Sequence, residues 1–451
     1  MDGGFEPGLQ VRTQDVLDRC TACGRCVDVC PMPGPAGLDT TDAPGIAAGV
    51  LAILRGDAVP EASARWASVC SGSGHCIPAC PEGVNPRFML TMARLAMQPH
   101  AEPAARRKDA FTRFTGMTTG VRVLSRLQLP PELLARFRPD DEPDAVPPDV
   151  VFYTGCNLLK TPHIALLCFD IMDALGIRYR VMGGPSHCCG VLQFRAGDLT
   201  TSGRIANRTV DRLGSAGGRV LTWCPTCQTQ LGEVVVPSRP ADAQLELTPF
   251  LHFLSERRDD LRPLLRHPVH RRVGLHEHPG VAGVAESAEA ILRMIPGLDF
   301  VDLAQPRVGY MCNMLNALPA YKRQVHQEQL QAAADAGVTT LAGIYHACHR
   351  ELCSHERDWP FEVVNFLELV GESMGLTRPD LFKRLKLMQD VDAVLADAAP
   401  MIALHGLDLD EARAVVLRDM LGEQPLPLAD APAPGGRIPR FATAPMPETG
   451  A

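Results

Sequence analysis

Apolar residues along the chain follow two periods, and their alternation predicts a mixed α/β protein. Between residues 150 and 260, short apolar runs such as VVFYTGC and RVLTWC alternate with a helical stretch, PHIALLCFDIMDALG. Short apolar strands that alternate with helical patterns are typical of parallel sheets. The segment 270–356 repeats this plan, with RVGLHEHPG as a strand, SAEAILRMIPG as a helix and TTLAGIYHAC as a further strand. We therefore expect two successive α/β domains.

Helical patterns dominate the regions on either side of these two domains. Residues 1–98 contain the helical stretch APGIAAGVLAILRGD, and residues 99–149 form a helical linker that ends in RPDDEPDAVPPD. Residues 357–421 have a helical pattern from FEVVNFLELVGESMGL onward, and we expect a helical extension there. Residues 422–451 are rich in Pro, Ala and Gly, which predicts a disordered tail.

Charge and hydropathy exclude several classes of function. The chain has 451 residues and a net charge of -8, whereas nucleic-acid binding needs a basic surface. A nucleic-acid partner is therefore not expected. No apolar run has the length of a membrane span, and the N-terminus lacks the pattern of a secretion signal. We expect a cytoplasmic protein that reaches the inner face of a membrane only through a partner.

The sixteen cysteines carry most of the functional information. In a reducing cytosol, tight groups of cysteines more often ligate metal than form disulfides. The stretch CTACGRCVDVCP supplies four thiols, whereas CSGSGHCIPACP supplies three and has Ser73 at the expected fourth position. In motifs of this kind, three closely spaced thiolates bind one cubane cluster and the fourth ligates a second cluster. The two stretches therefore predict a domain with two ferredoxin-type sites over residues 1–98.

The exchange of the fourth ligand assigns each cysteine to a site. The first site is predicted to hold a complete [4Fe-4S] cluster on Cys20, Cys23, Cys26 and Cys80. The second site is predicted to hold an atypical cluster on Cys30, Cys70 and Cys76, with Ser73 at the vacant place. Zinc is the alternative, but zinc usually takes two separated pairs of cysteines.

Ser73 leaves the second site one thiolate short, which leaves three outcomes open. The site holds a three-iron cluster, or it holds a four-iron cluster with Ser73, His75 or water on the odd iron. The third outcome is a dispensable site that has decayed. We favour a bound, atypical cluster because three thiolates and the following Pro81 remain in frame.

A third group of cysteines lies in the first α/β domain with the spacing C-x31-C-C-x34-C-x-x-C. Each part follows a predicted strand, and α/β folds place their sites at the carboxyl ends of strands. Gly190 lets the backbone fold closely after the adjacent pair. Five converging thiolates exceed what one cubane needs. The group consists of Cys156, Cys188, Cys189, Cys224 and Cys227.

This spacing resembles the CCG (cysteine-rich) domain of the B-type subunit of heterodisulfide reductase. The iron-sulfur subunits of glycolate oxidase, anaerobic glycerol-3-phosphate dehydrogenase and lactate-utilisation systems share that domain. Residues 1–98 resemble the C-type subunit of the same reductase, so the chain is similar to a C–B fusion over roughly residues 15 to 355. The resemblance implies that the five cysteines hold a noncubane [4Fe-4S] cluster that carries out or supports disulfide chemistry. The candidates for catalysis are Cys188, Cys189 and His187, although a structural role in the loop is the simpler interpretation of His187.

The second α/β domain keeps only part of this cysteine pattern. Offsets of 122, 123 and 121 residues relate Cys156 to His278, Cys189 to Cys312, and Cys227 to Cys348. Nearly constant offsets indicate a tandem duplication. MCN replaces CCG at 311–313 and YHAC replaces C-x-x-C at 345–348, so a second noncubane cluster is not expected.

The remaining ligands of the second domain suit a different metal. His278, Cys312 and Cys348 are candidate ligands for zinc or one iron, because imidazole and thiolate together bind such metals. Further candidates that could help are His276, His346, His349 and Cys353. The alternative is a vestigial half that is kept for packing. Cys168 lies on an apolar helix and is predicted to be a core residue.

The motifs that are missing point to a partner protein. The chain has neither a Gly-rich dinucleotide fingerprint after a strand nor a Walker loop. We therefore expect a flavoprotein dehydrogenase to hold the organic cofactor. The predicted function is an iron-sulfur electron-transfer subunit of a heterodisulfide-reductase-like or flavin-dependent dehydrogenase complex, with a disulfide or quinone as acceptor. The alternative is a catalytic disulfide or thiol reductase subunit with its chemistry at the CCG cluster.

Overall fold

Two four-stranded parallel sheets form the centre of the computed structural model, which describes residues 4–98, 102–137 and 146–428. The first sheet has the order β2-β1-β3-β4 and comprises β1 (Val150–Tyr153), β2 (Tyr179–Met182), β3 (Arg219–Thr222) and β4 (Leu247–Pro249). The second has the order β6-β5-β7-β8 and comprises β5 (Arg272–His276), β6 (Asp299–Val301), β7 (Thr340–Gly343) and β8 (Glu362–Asn365). The predicted α/β class is confirmed, and the two sheets have equivalent strand orders.

Strand β1 is buried on both faces, as expected for a central parallel strand. It pairs with β2 from Val150 opposite Tyr179 and with β3 from Val150 opposite Arg219. Val150 and Phe152 belong to a core that continues into the second sheet, whereas Val151 and Tyr153 pack with the N-terminal helices. Because both faces are covered, loops at the carboxyl ends of the strands are left to build a site.

Helices surround the sheets and account for most of the remaining chain. The α-helices before the first sheet are Phe5–Arg19, Arg25–Asp28, Ala43–Arg55, Glu61–Val69, Cys76–Ala79, Pro86–Ala96, Pro103–Gln128 and Pro131–Ala135. Those in and after the sheets are Pro162–Ala174, Val191–Arg195, Leu199–Ser215, Pro225–Thr229, Phe250–Glu256, Arg258–Leu261, Val284–Leu292, Pro319–Asp335, His346–Leu352, Phe366–Met374, Leu381–Leu387, Val391–Asp397, Ala399–His405 and Leu409–Val415. Two π-helical turns, Gln230–Val235 and Val416–Leu421, and short 3-10 turns complete the elements.

One segment that was predicted to be helical begins as a strand. Glu362–Asn365 forms the edge strand β8, which pairs with β7 from Thr340 opposite Glu362. Helix Phe366–Met374 starts only after it, where Asn365 and Glu368 form a capping box. The sequence FEVVN is short and largely apolar, so its hydrophobic periodicity cannot distinguish a helix from a strand. Pairing with β7 favours the strand. In the proposed helical linker, 99–149, the structure has the helices Pro103–Gln128 and Pro131–Ala135, whereas 99–101 and 138–145 lie outside the described residues. Most of the proposed tail, 429–451, also lies outside them.

Arg87 joins three parts of the molecule. It lies in helix Pro86–Ala96 with only 7% of its surface exposed. Its Nη1 donates to the carbonyl oxygens of Gly72 and Gly280, both at 2.6 Å, and its Nε donates to Glu233 at 2.9 Å. The N-terminal helices therefore bind both α/β halves through one buried guanidinium group.

Candidate metal-cluster sites

The four cysteines assigned to the first ferredoxin-type site line a single small cavity. Cys20 directly follows helix Phe5–Arg19, and Cys26 lies in the short helix Arg25–Asp28. Cys23 is exposed in the loop between these two helices, and Cys80 belongs to the second motif. Burial raises the pKa of Cys26 to about 12, so the site favours a cation that compensates the thiolates.

The cysteines of the second site line a neighbouring cavity, which Cys26 also borders. Trp66 Nε1 donates to Cys30 Sγ at 3.4 Å, and burial raises the pKa of Cys76 to about 12. Cys70 follows helix Glu61–Val69 and faces both of these thiols. Cys30 therefore lies with the cysteines of the second motif, and the two sites lie side by side.

Ser73 lines the second site but is engaged by the second α/β half. Its Oγ accepts a hydrogen bond from the backbone N–H of Gly309 at 2.7 Å and lies 3.0 Å from Ser71 Oγ. His75 is exposed, with Nε2 3.5 Å from the carbonyl oxygen of Arg307. Both candidates for the odd position therefore contact the loop that contains 307–309.

The five CCG cysteines converge at the carboxyl ends of β1, β2 and β3. Each is at most 6% exposed. Cys156 follows β1, the adjacent pair follows β2 through the 3-10 turn Pro185–His187, and the last two flank the start of helix Pro225–Thr229. Gly155 has a φ of +66°, and a Cβ there would lie 2.9 Å from Cys227 Sγ, so this close approach requires glycine.

Direct contacts link the five thiols into one group. Cys156 interacts with Cys188, which also interacts with Cys189, and Cys189 interacts with Cys227. A hydrogen bond from Cys227 lowers the pKa of Cys224 well below that of a free thiol. Hydrogen bonds with Cys189 and with Cys224 raise the pKa of Cys227. The group thus contains five buried sulfurs, and the pKa is raised for some of them and lowered for others. Such a donor set suits an iron-sulfur cluster.

His187 is held by its own loop. Its Nδ1 lies 3.2 Å from the carbonyl oxygen of Gly183, and its Nε2 lies 3.3 Å from Arg212 Nη1. Burial lowers the pKa of His187, and Tyr153 donates to its carbonyl oxygen at 2.7 Å. These contacts support the structural interpretation of His187.

Two residues near the CCG thiols were not predicted as part of this site. Tyr153 ends β1 and is fully buried, with its phenol close to the thiols of Cys189 and Cys227. His346, from the second α/β half, interacts with Cys224. The position of Tyr153 at the carboxyl end of a strand was a usable sequence signal, whereas the contact of His346 depends on the packing of the two halves.

The second half gathers two histidines and two cysteines at the equivalent strand ends. One donor atom from each of His276, His278, Cys312 and Cys348 lies within 4.8 Å of the others. All four side chains are buried. The other proposed helpers lie elsewhere: His349 Nε2 is 2.5 Å from Asp380, and Cys353 lies among Lys383 and Lys386. Cys168 is a buried core residue on helix Pro162–Ala174.

A cavity of about 220 Å³ lies between the second ferredoxin-type site and the CCG loops. Cys70 lines it on one side, and Val191 and Thr226, which are close in sequence to the CCG cysteines, line it on the other. Arg94 and Arg195 also face it, and neither forms an ion pair with a carboxylate within residues 4–98, 102–137 and 146–428. The cavity is therefore electropositive.

Within the described part of the chain, no helix combines the length and the apolar character that crossing a membrane requires.

Comparison with known protein families agrees with the two kinds of cysteine motif. The family model of the cysteine-rich domain CCG matches residues 150–232. The family model of the 4Fe-4S binding domain matches residues 14–32. These ranges contain the complete CCG pattern and the first ferredoxin-type motif.

Three relatives are similar to between 43% and 82% of the chain. The D subunit of dihydromethanophenazine:CoB–CoM heterodisulfide reductase from Methanosarcina acetivorans is 22% identical over 80% of this chain and 95% of its own length. The B subunit of fumarate reductase (CoM/CoB) from Methanothermobacter marburgensis is 21% identical over 82% of this chain and 62% of its own. The probable glycolate oxidase iron-sulfur subunit of Bacillus subtilis is 25% identical over 43% of this chain and 53% of its own. The resemblance to iron-sulfur subunits of the heterodisulfide reductase type is thus confirmed, and the chain carries a 4Fe-4S binding domain and a CCG domain.

Proposed function

We propose that the chain is an iron-sulfur electron-transfer subunit of a heterodisulfide-reductase-like or flavin-dependent dehydrogenase complex. The observation that carries this function is the succession of three thiol groups through the molecule. Cys26 borders both ferredoxin-type cavities, and Cys70 faces the cavity that leads to the CCG loops. When bound, iron-sulfur clusters supply one-electron transfer.

The donor sets support three types of cluster. Four thiols fit a [4Fe-4S] cubane at the first site. Three thiols and the Ser73 hydroxyl fit an atypical four-iron cluster or a three-iron cluster at the second. The five CCG thiols exceed the needs of a cubane and fit a noncubane cluster. The equivalent strand orders of the two sheets support the tandem duplication proposed from the sequence.

The partner of this subunit would exchange electrons at the first site. Cys23 is exposed, whereas the CCG thiols are buried, so the first site is more open to the surface than the CCG site. The relatives are named as subunits of heterodisulfide reductase, fumarate reductase and glycolate oxidase. This supports a flavoprotein partner with a disulfide or quinone acceptor, in the cytoplasm or at the inner membrane face.

Iron and sulfide analysis of the anaerobically purified full chain, combined with an EPR-monitored reductive titration, tests this function. We expect separate signals from the ferredoxin-type sites and from the CCG site, each with its own potential. A colourless protein that contains only zinc would overturn the proposal. Reduction of only one site, with the others silent at every potential, would also contradict a relay.

A second function, a disulfide reductase with its chemistry at the CCG site, is favoured by the electropositive cavity. Among the residues that the structure describes, buried Gln230 Nε2 and Thr229 Oγ1 have no hydrogen-bond partner, so the cavity offers unused donors as well as two arginines. These groups suit a small organic anion. Reduction of a disulfide consumes two electrons and two protons and yields two thiols, and reduced methyl viologen would supply the electrons.

The purified chain alone, assayed with reduced methyl viologen and an anionic disulfide such as oxidised glutathione, distinguishes the two functions. Turnover that falls in Arg195→Gln, but not in the surface control Arg323→Gln, would assign the chemistry to this chain. Absence of turnover in a protein with a full iron content would favour the relay.

A further inference from the structure

We propose that the second α/β half binds one Zn²⁺ ion, which holds the loop that closes the second ferredoxin-type site. The ligands are Nε2 of His276, Nε2 of His278, and the Sγ atoms of Cys312 and Cys348. These residues come from β5 and the loop after it, from the 3-10 turn Cys312–Leu315, and from helix His346–Leu352. This centre is separate from the iron-sulfur sites and goes beyond electron transfer.

The spacing of the donor atoms fits a tetrahedral zinc ion. The two Nε2 atoms are 3.1 Å apart. Cys312 Sγ is 3.1 Å from His276 Nε2 and 3.6 Å from His278 Nε2. Zinc–nitrogen and zinc–sulfur bonds of ordinary length place tetrahedral ligands about 3.3 to 3.8 Å apart. The three distances are in this range or slightly below it, and Cys348 Sγ lies within 4.8 Å of the other three atoms, so the four atoms are close enough to bind one ion.

The hydrogen bonds of the two imidazoles leave their lone pairs facing each other. His278 Nδ1 donates to the carbonyl oxygen of Val308 at 2.6 Å, and a carbonyl can only accept. His276 Nδ1 contacts Gln329 Oε1 in the same way. In the neutral rings both Nε2 atoms are then unprotonated, so their lone pairs point into the space that they share with the two cysteine sulfurs, where a cation would bind all four atoms. Such outer hydrogen bonds are also the usual partners of metal-bound histidines.

Because the four ligands are buried, the net charge of the site should be close to zero. His276, His278, Cys312 and Cys348 are between 0 and 4% exposed. One Zn²⁺ with two thiolates and two neutral imidazoles forms a neutral unit, whereas an isolated buried charge is very costly. Two cysteines and two histidines are also a standard donor set of structural zinc sites.

A second buried cluster, formed by His163 of the first half and three residues of the second, already has its own cation. His163, His349, Glu368 and Asp380 also bring their donor atoms within 4.8 Å. The buried ammonium of Lys383 interacts with both carboxylates of this group. Because an ammonium is already present, the mixed carboxylate group does not need a metal, and we assign zinc to the cysteine-containing group.

The proposed ion lies directly behind the incomplete cluster site. Cys312 ends the loop whose Val308 carbonyl oxygen accepts from His278 and whose Gly309 N–H donates to Ser73 Oγ at 2.7 Å. Gly72 lies against the ring of Tyr310 in the same loop. Zinc would thus fix both ends of the short segment that contacts Ser73, and its ligands act as positioning residues for that site.

X-ray absorption at the zinc edge, together with metal analysis of the anaerobically purified full chain, tests the proposal without interference from iron. We expect one zinc per chain with two sulfur ligands at about 2.3 Å and two nitrogen ligands at about 2.0–2.1 Å. Absence of zinc, or a shell of four sulfur atoms, would overturn it.

Variants then locate the ion. Cys348→Ser is expected to lose at least nine-tenths of the zinc, and His276→Gln is a milder variant if the serine protein does not fold. Cys168→Ser, which removes a buried thiol elsewhere, and His349→Gln are the controls and should keep one zinc. In His276→Gln, the iron content should stay unchanged while the EPR line shape of the second site changes. Full zinc retention in both ligand variants would place the ion elsewhere and refute the proposal.

Discussion

The two α/β halves share a strand order but present different donors at the same strand ends. In the first sheet, five buried cysteines follow β1, β2 and β3. In the second, two histidines and two cysteines follow the equivalent strands β5, β6 and β7. The strand order determines where the candidate ligands lie, and the type of side chain determines which metal they suit. A retained architecture therefore does not require a retained set of donor atoms.

Three replacements account for the thiolates that the second half lacks. His278 takes the position of Cys156, Met311 that of Cys188, and Tyr345 that of Cys224. Removing three of five thiolates takes away the excess sulfur that favours an iron-sulfur cluster, while the added imidazole favours zinc.

The largest effect is expected from Cys189→Ala compared with Cys312→Ala, which occupies the equivalent position. The first variant should lose the CCG cluster, about four irons per chain, because it removes a ligand from the centre of the thiol group. The second should lose zinc and keep its iron. Metal analysis of both proteins checks this. Equal iron loss in the two variants would remove the distinction between the halves.

Arg87→Met should destabilise the folded protein by about 3 kcal/mol, because it leaves Glu233 and two carbonyl oxygens without their buried donor. Chemical denaturation under anaerobic conditions measures the change. Glu233→Gln and the double variant complete a mutant cycle. If the single variants add without coupling, the guanidinium does not bind the N-terminal helices to the first α/β half in the way that its contacts indicate.

Acid should weaken the second half through His355. Burial, and then the nearby Lys386, lower the pKa of His355 from 6.5 to about 4. The unfolded chain therefore binds the proton first as the pH falls below 6.5, and the folded state loses about 2 kcal/mol of stability by about pH 5. His355→Leu should flatten this part of the pH profile. Amide hydrogen exchange of β8, measured at several pH values in the wild type and in the variant, checks this. If stability falls with pH equally in both proteins, His355 plays no part.

The smallest effect is expected from Ser73→Cys. The variant should supply a fourth thiolate and convert the EPR signal of the second site into that of an ordinary four-iron cluster, with a gain of at most one iron per chain. Loss of the hydrogen bond from Gly309 would cost about 1 kcal/mol. Ser71→Ala, which leaves the Ser73 hydroxyl in place, is the matched control. An unchanged spectrum would show that position 73 does not face the odd iron.

The sequence was sufficient for features that depend on local spacing. The strands before each cysteine group and the buried Cys168 follow from patterns within short stretches, and the structure contains them. The exchange of Cys30 and Cys80 between the two cluster sites stays a prediction, and each lines the cavity to which it is assigned. The convergence of five CCG thiols follows from the rule that parallel strands end at one edge.

Features that depend on packing were missed or left open. Strand β8 forms because Val363 and Val364 pair with β7, which a short apolar run cannot reveal. His276 was one of four possible helpers, and its choice rests on a ring that points inward from β5. The engagement of Ser73 by Gly309 joins residues separated by 236 positions and has no local signal.

The burial of the CCG thiols has a consequence for the biogenesis of the protein. A cluster carrier must bring its cargo into contact with the accepting sulfurs, yet none of the five cysteines is more than 6% exposed in the folded chain. For the cluster proposed at this site, delivery would have to precede final closure of the domain, while the more accessible sulfurs near the N-terminus could be loaded, repaired or exchanged afterwards. Oxidative damage should accordingly be reversible near the N-terminus and permanent at the CCG site.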